Sequence, residues 1–194
     1  MKIDLSQATF IIPIRIESSD RLRNVITITA FLVENFDTNI IVKEVDSKSV
    51  FQEQAMPILE EIVEGDIWKN FNFIFERSDK PLFHRQRVLN EMIMEADTDI
   101  VVNYDCDAIL PKESYKTAHD SIRDGEFDIV YPYGQGMYQK QVAATDEVVS
   151  NFLDKTDIFT IHKQICSPAS YSSENQNGEK QLINSYKIVD YFLN

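Results

Sequence analysis

Ile100-Val101-Val102-Asn103-Tyr104-Asp105-Cys106-Asp107 decides how this chain folds. The run opens with the β-branched content of a buried strand and ends in two carboxylates at alternate positions. It follows directly on Arg85–Ala96, where Val88, Leu89, Met92, Ile93 and Ala96 recur on one helix face. A helix that leads straight into a strand is the second half of a crossover unit, and the same alternation runs upstream. Phe10 to Ile16 reads as a strand. Ser18-Ser19-Asp20 is a helix start signal, followed by Leu22, Val25, Ile26, Ala30 and Val33 at helical spacing. Asn39 to Val45 is a second strand, Phe51 to Val63 a helix that contains Pro57, and Phe71 to Phe75 a third strand. Four such alternations predict an α/β fold: a Rossmann-like, mostly parallel sheet with right-handed crossovers and helices on both faces.

Downstream, Pro111 to Ile122 predicts a surface helix with proline in its first turn. Phe127 to Tyr131 predicts a further strand, ending in Tyr131-Pro132-Tyr133-Gly134-Gln135-Gly136. Ser167 to Gly178 is polar and without periodicity, which predicts a loop. Gln181 to Leu193 reads as a short strand continuing into a helix, and the sequence stops inside that apolar pattern, as a piece of a longer protein would.

A chain of 194 residues with 43% hydrophobic content supports one well-buried core, so a single domain over residues 1–194 is expected. The net charge of −13 and the lack of a basic stripe argue against a nucleic-acid partner. There is no signal-peptide pattern and no apolar run of ~18 residues, so no membrane segment is expected. Cys106 and Cys166 are too few for a zinc-ligand set or a disulfide framework. A reducing, cytoplasmic location fits, with Cys106 as a small buried side chain.

In an extended backbone, side chains two apart point the same way, so Asp105 and Asp107 can face one hard cation, Mn2+ or Mg2+, with Cys106 turned away. At the carboxyl end of a central strand of an open α/β sheet, such a cation neutralises a diphosphate that an acidic chain would otherwise repel. A second Asp-x-Asp occurs at Asp97-Thr98-Asp99. It precedes the strand instead of following it, at the edge away from ligands, and is expected to supply turn residues.

Four stretches, in order, together resemble the GT-A glycosyltransferases, most closely the β-1,4-galactosyltransferase-like branch. Phe10-Ile11-Ile12-Pro13-Ile14-Arg15 is similar to the strand end that holds base and ribose in that family, which implies nucleotide contacts at Pro13, Ile14 and Arg15. Ile41-Val42-Lys43-Glu44-Val45-Asp46 looks like its second strand, and Glu44 or Asp46 is the implied acceptor for the uracil N3 proton or a ribose hydroxyl. Phe83-His84-Arg85-Gln86-Arg87-Val88-Leu89-Asn90 is similar to the Phe-Asn-Arg-Ala-Lys-Leu-Leu-Asn segment. There Phe83 would wall the nucleotide, and Arg85, at a helix N-terminus, would meet the diphosphate or the carboxylates below it. Arg87 is expected to pair with solvent-side acids. Tyr104-Asp105-Cys106-Asp107-Ala108-Ile109-Leu110-Pro111 resembles Asp-Val-Asp-Leu-Ile-Pro, which implies nucleotide contacts at Asp105 and Cys106 and metal ligation by Asp105 and Asp107.

The resemblance implies a metal-dependent hexosyltransferase that takes a UDP-sugar donor and passes the sugar to a hydroxyl of a saccharide or glycan acceptor. It implies a nucleotide-sugar-binding half over about residues 8–140 and a partial acceptor-side half over 141–194. The chain departs from the family at Glu17, where those enzymes carry a second arginine, and at His84, where they carry asparagine. Gly178 to Asn184 looks like the start of the family's acceptor strand, and the segment with the catalytic base and third metal ligand has no counterpart after it. No catalytic residue is assigned. Two alternatives remain: a non-catalytic sugar-nucleotide-binding module, and a haloacid-dehalogenase-type phosphatase. The phosphatase would carry the motif on its first strand with threonine or valine two residues on, whereas here it follows the fourth strand and precedes Ala108-Ile109.

Overall fold

The computed structural model describes residues 2–63, 67–132, 171–174 and 180–183. The chain divides into two compact units, residues 1–133 and 134–194. The first unit runs β1 (Ile3–Ile14), α1 (Ser19–Asn35), β2 (Phe36–Asp46), α2 (Met56–Ile62), β3 (Phe71–Arg77), α3 (Arg85–Glu95), β4 (Ile100–Asn103) and α4 (Lys112–Arg123). Its four strands form one all-parallel sheet in the order β3-β2-β1-β4, flanked by helices on both faces. This is the expected Rossmann-like α/β architecture.

From Ala8 to Ile14 every residue of β1 is buried, as a parallel strand covered on both sides requires. Ile11, Ile41 and Val45 form a core cluster with Val88, Leu89 and Met92 of α3. Alternate residues face the other layer, where Phe10 lies among the rings of Phe36, Tyr104 and Tyr115, and Phe31 of α1 meets Phe36 and Tyr115. Farther along that face, the Phe51 ring stacks on Phe71 and Phe73 of β3. The chain lays down β1, β2 and β3 in one direction and then returns to place β4 on the far side of β1. Crossovers of constant hand that reverse their direction of travel must change faces, which is why α3 lies opposite α1 and α2.

Local signals account for the boundaries. Ser18 is extended, and its hydroxyl accepts the Arg21 N–H at 3.3 Å, a cap worth about 1 kcal/mol. The single helix expected over Phe51–Val63 is instead a π-helical turn, Phe51–Ala55, followed by α2. Pro57 is the cause: it cannot donate a backbone hydrogen bond and its ring would press on the carbonyl four residues back. The wider turn, closed by Met56 N–H to Phe51 O, places Pro57 in the first turn of α2, where no donor is needed. Pro111 likewise stands just ahead of α4 and not within its first turn.

Three expectations need correcting. Among the described residues β4 is an edge strand of the sheet, not a central one. Phe127 to Tyr131 forms no strand, and Phe127, Ile129 and Tyr131 are 59%, 74% and 72% exposed. Alternating apolar residues are compatible with a strand, but only a neighbouring ladder makes one. Here α4 ends in a Schellman turn, with Glu126 N–H on Ser121 O, Gly125 N–H on Ile122 O and Gly125 at φ 73°, and the segment that follows pairs with no strand of the sheet. Within the polar stretch Ser167–Gly178, Tyr171–Glu174 is a strand, β5, antiparallel to β6 (Lys180–Ile183). The ladder is made by backbone groups, so a polar run can pair when a partner lies beside it. The expected helix after β6, Tyr133 to Gly136 and Cys166 lie outside the described residues. Among the described residues no helix is long and apolar enough to cross a membrane.

The seating of α3 on the sheet has an electrostatic component. Lys43 of β2 bonds Glu91 of α3 at 2.6 Å and lies 3.4 Å from Glu76 of β3, while Arg87 of α3 bonds Glu76 at 2.7 Å and Glu91 at 2.6 Å. The Arg87 hydrogen bond holds the Glu76 carboxyl below its usual range, and Lys43 followed by Arg87 does the same for Glu91. A depressed folded-state pKa means that the unfolded chain takes up protons first as pH falls. This stabilisation is therefore present above the ordinary value of 4.5 and is lost as pH drops through the lower folded values. Lys43→Met is expected to flatten the acid limb of the stability curve. Thermal midpoints of both proteins between about pH 3 and pH 7 check it, and parallel curves would remove the network from the acid response.

Candidate functional site

The strand order reverses between β1 and β4, and in open α/β sheets the crevice outside the carboxyl ends of strands at such a switch point is where ligands bind. β4 ends at Asn103, Tyr104 adds one more backbone bond to β1 (N–H to Ile11 O, 3.1 Å), and Asp105-Cys106-Asp107 follows at once. The motif therefore lies at the ligand edge. Asp97-Thr98-Asp99 lies at the opposite edge, between α3 and β4, where the Thr98 hydroxyl bonds Ile100 O and Thr9.

The backbone of the motif departs from expectation: residues 106 and 107 form a turn, so alternation along an extended strand does not aim the two carboxylates. Both are nonetheless exposed to solvent. Asp105 Oδ1 accepts from Arg85 Nη2 at 2.5 Å, and the same nitrogen donates to Asn103 Oδ1 at 3.2 Å. Arg85 opens α3, so a cation from the helix on one face braces the acid that leaves β4. Burial, then the charge of Asp107, pushes the Cys106 thiol above its usual value. Cys106 is a half-buried neutral thiol.

Two tyrosines that the sequence reading passed over shape the loop. Leu110 N–H donates to the Tyr115 hydroxyl at 3.0 Å, the two hydroxyls are 2.5 Å apart, and Tyr104 OH donates to Ala108 O at 2.6 Å. Burial pushes both phenols up, so they remain neutral donors at any physiological pH. The only signal in the sequence is that one tyrosine precedes the motif and another stands one turn into the next helix.

On the β2 side, Arg15 is 8% exposed and all three of its guanidinium nitrogens are engaged. Nε donates to Val45 O at 3.0 Å, Nη1 to Pro81 O at 3.0 Å and Nη2 to Lys80 O at 3.1 Å. Its charge also lies 3.9 Å from Asp46 and over the Phe83 ring at 5.8 Å. Arg15 is thus a clamp on the β3–α3 loop and not a free cation for ribose or phosphate. Beside it opens a depression of about 300 Å³, lined by Arg15, Glu17, Asp46, Ser47 and the Ser78–Pro81 loop. Pro13 and Ile14 are buried in β1.

Glu44 and Asp46 separate cleanly. Glu44 is fully buried and accepts the Ser49 hydroxyl at 2.6 Å, Val50 N–H at 3.0 Å and Phe51 N–H at 3.2 Å. Burial pushes its carboxyl above its usual value, against the smaller downward pull of these three donors. It caps the π-helical turn and has no access to a nucleotide. Asp46 lies at the strand end, accepts Ser47 N–H at 2.6 Å and faces the depression. Phe83, half-buried on the α3 cluster, opens a second depression of about 460 Å³ that continues through His84 and Arg85 to Arg87.

The structure thus brings Arg85 to Asp105 within the motif loop, gathers Arg15, Asp46 and Phe83 on the β2 side, and withdraws Glu44. Among the described residues no three His, Cys, Asp or Glu side chains converge as a metal-holding group. The exposed Asp105 and Asp107 carboxylates are still the donor type that Mn2+ and Mg2+ accept, since such cations commonly take one or two carboxylates and complete their shell with water and phosphate oxygens. Scans against protein-family models and against curated proteins return no match for this chain.

Proposed function

We propose that this chain binds a UDP-sugar and acts as a metal-dependent glycosyltransferase of the GT-A type, passing the sugar to a hydroxyl of a saccharide or glycan acceptor. The observation that carries the reading is the Asp105-Cys106-Asp107 loop at the switch point, braced by Arg85 from the start of α3. Asp105 and Asp107 would hold Mn2+ or Mg2+, which supplies positive charge to a departing diphosphate. Arg85 fixes Asp105 through a charge-assisted bond and adds its own charge at a helix N-terminus, where anions are favoured. Asp46, whose carboxylate oxygens are hydrogen-bond acceptors at the strand end, suits a ribose hydroxyl or the uracil N3–H. Phe83 walls the nucleotide, and Arg15 shapes the pocket by holding the loop beside it. No side chain is assigned as general base.

Calorimetric titration of UDP, with Mn2+ and then with EDTA, tests the reading. Binding should be at least about tenfold tighter with the metal, and equal affinities would overturn it. In the same titration Arg85→Ala should weaken binding by at least about tenfold, as expected when a charge-assisted contact worth ~1.5–3 kcal/mol is lost, while Arg87→Ala, already paired with Glu76 and Glu91, should not. UDP-galactose and UDP-glucose with a panel of sugar acceptors then separate transfer from binding alone.

A further inference from the structure

We propose that Tyr115 is a positioning residue for this site: through Tyr104 its hydroxyl sets the shape of the loop that carries Asp105 and Asp107, and with it the affinity for a divalent cation. This rests on the reading of those carboxylates as metal ligands.

The ring of Tyr115 is fixed by the core. It is 4% exposed and meets Phe10, Phe31 and Phe36 at centroid distances of 6.1, 6.1 and 5.1 Å, so its position is set by β1, α1 and β2 together. Its ring also lies 6.0 Å from that of Tyr104, and its hydroxyl reaches the loop. The directions of the three hydrogen bonds there are forced. Leu110 N–H can only donate, so Tyr115 accepts; Ala108 O can only accept, so Tyr104 donates; the remaining Tyr115 hydrogen must therefore go to the Tyr104 oxygen. The result is one unbranched relay from Leu110 through Tyr115 and Tyr104 to Ala108, with a single arrangement of its protons.

The relay brackets the motif. Tyr104 is tied to β1 by its backbone N–H and to Ala108 by its side chain, so residues 105–107 span a closed ring between two fixed points. Asp105 has a second hold in Arg85, whereas for Asp107 no bond is seen among the described residues. The relay is accordingly what places Asp107. Removing the Tyr115 hydroxyl strands the Leu110 N–H and takes the donor from Tyr104, in a buried setting where water is a poor replacement.

The test measures Mn2+ binding in the presence of UDP, from the free-ion paramagnetic resonance signal, for wild type, Tyr115→Phe and Tyr104→Phe. UDP binding in EDTA and amide exchange over residues 105–110 accompany it. Tyr115→Phe keeps the ring packing and should weaken Mn2+ by about tenfold, the low end for groups that hold metal ligands in place. It should leave UDP affinity in EDTA within about twofold and speed exchange in the loop. Tyr104→Phe, which cuts the bond to Ala108 while leaving Leu110 bonded to Tyr115, should show the same split. A purely structural role would lower the thermal midpoint without separating metal-dependent from metal-free binding. Wild-type Mn2+ affinity in both variants overturns this inference alone, and so does an equal loss with and without metal. A wild-type protein that binds no Mn2+ overturns both this inference and the proposed function.

Discussion

Asp107→Ala is expected to remove most of the metal dependence of UDP binding while leaving the fold intact. Asp107 is an exposed turn residue at the end of a strand, with no core contact to lose, and substitutions at such places usually change stability by less than about 0.5 kcal/mol. Its effect on metal binding should be far larger. Loss of a group that merely orients a metal ligand commonly costs about 10- to 100-fold, so loss of one of two carboxylates should cost at least that much. The measurement is a pair of UDP titrations, with Mn2+ and with EDTA, beside thermal unfolding. The variant should show nearly the same UDP affinity in both conditions and a wild-type midpoint. Asp97→Ala and Asp99→Ala belong in the same experiment: from the opposite edge of the sheet they should leave binding unchanged. If either removes the metal dependence as Asp107→Ala does, with the fold intact, the wrong Asp-x-Asp has been assigned.

Glu44→Ala should have the largest effect on stability. The carboxylate is fully buried and satisfies the Ser49 hydroxyl and the Val50 and Phe51 N–H groups, so alanine leaves three donors, two of them buried, without an acceptor and opens a cavity between β2 and the π-helical turn. Stranding buried donors of this kind costs about 1–3 kcal/mol each where water cannot reach them. A net loss of about 3 kcal/mol allows for partial relaxation and should lower the thermal midpoint by roughly 10 °C. Glu44→Gln, which keeps one acceptor but points an amide at the donors, should fall between wild type and alanine. Circular dichroism melts rank the three proteins. A Glu44→Ala protein that melts like wild type would show that the turn is held by Phe51 stacking on Phe71 and Phe73 instead of by its cap.

Much of the sheet is legible from residue spacing because burial on two faces leaves a strong mark. Val88, Leu89 and Met92 read as one helix face and do form a single cluster with Ile11, Ile41 and Val45. The place of Asp105-Cys106-Asp107 is legible for the same reason: once β4 is recognised as parallel, its carboxyl end is the ligand edge. What is hidden depends on where the chain returns. Glu44 and Asp46 look alike as charges near a strand end, and only the fold of residues 49–51 back over β2 makes one of them a cap. Arg15 looks like a free cation until the β3–α3 loop brings its carbonyls within reach. Phe127 to Tyr131 has the alternation of a strand but pairs with no strand among the described residues, and spacing along a sequence carries no information about pairing. Tyr115 reads as one more aromatic of an amphipathic helix, and its hydroxyl matters only because Leu110 and Tyr104 meet it.

The Arg15 clamp gives the two banks of the crevice unequal stiffness. On one bank a single guanidinium joins the end of β2, through Val45, to the loop leaving β3, through Lys80 and Pro81, and Ser78 N–H adds a bond to Asp46 O. That bank tilts as a block, since moving any one of its pieces would break several of these bonds at once. Among the described residues the opposite bank is an edge strand followed by a short loop, held at the rim by Arg85 and the Tyr104 and Tyr115 hydroxyls. For the proposed donor ligand, adjustment to differing bulk would fall on the β4 side, in the manner of a vice with one fixed jaw and one sliding jaw.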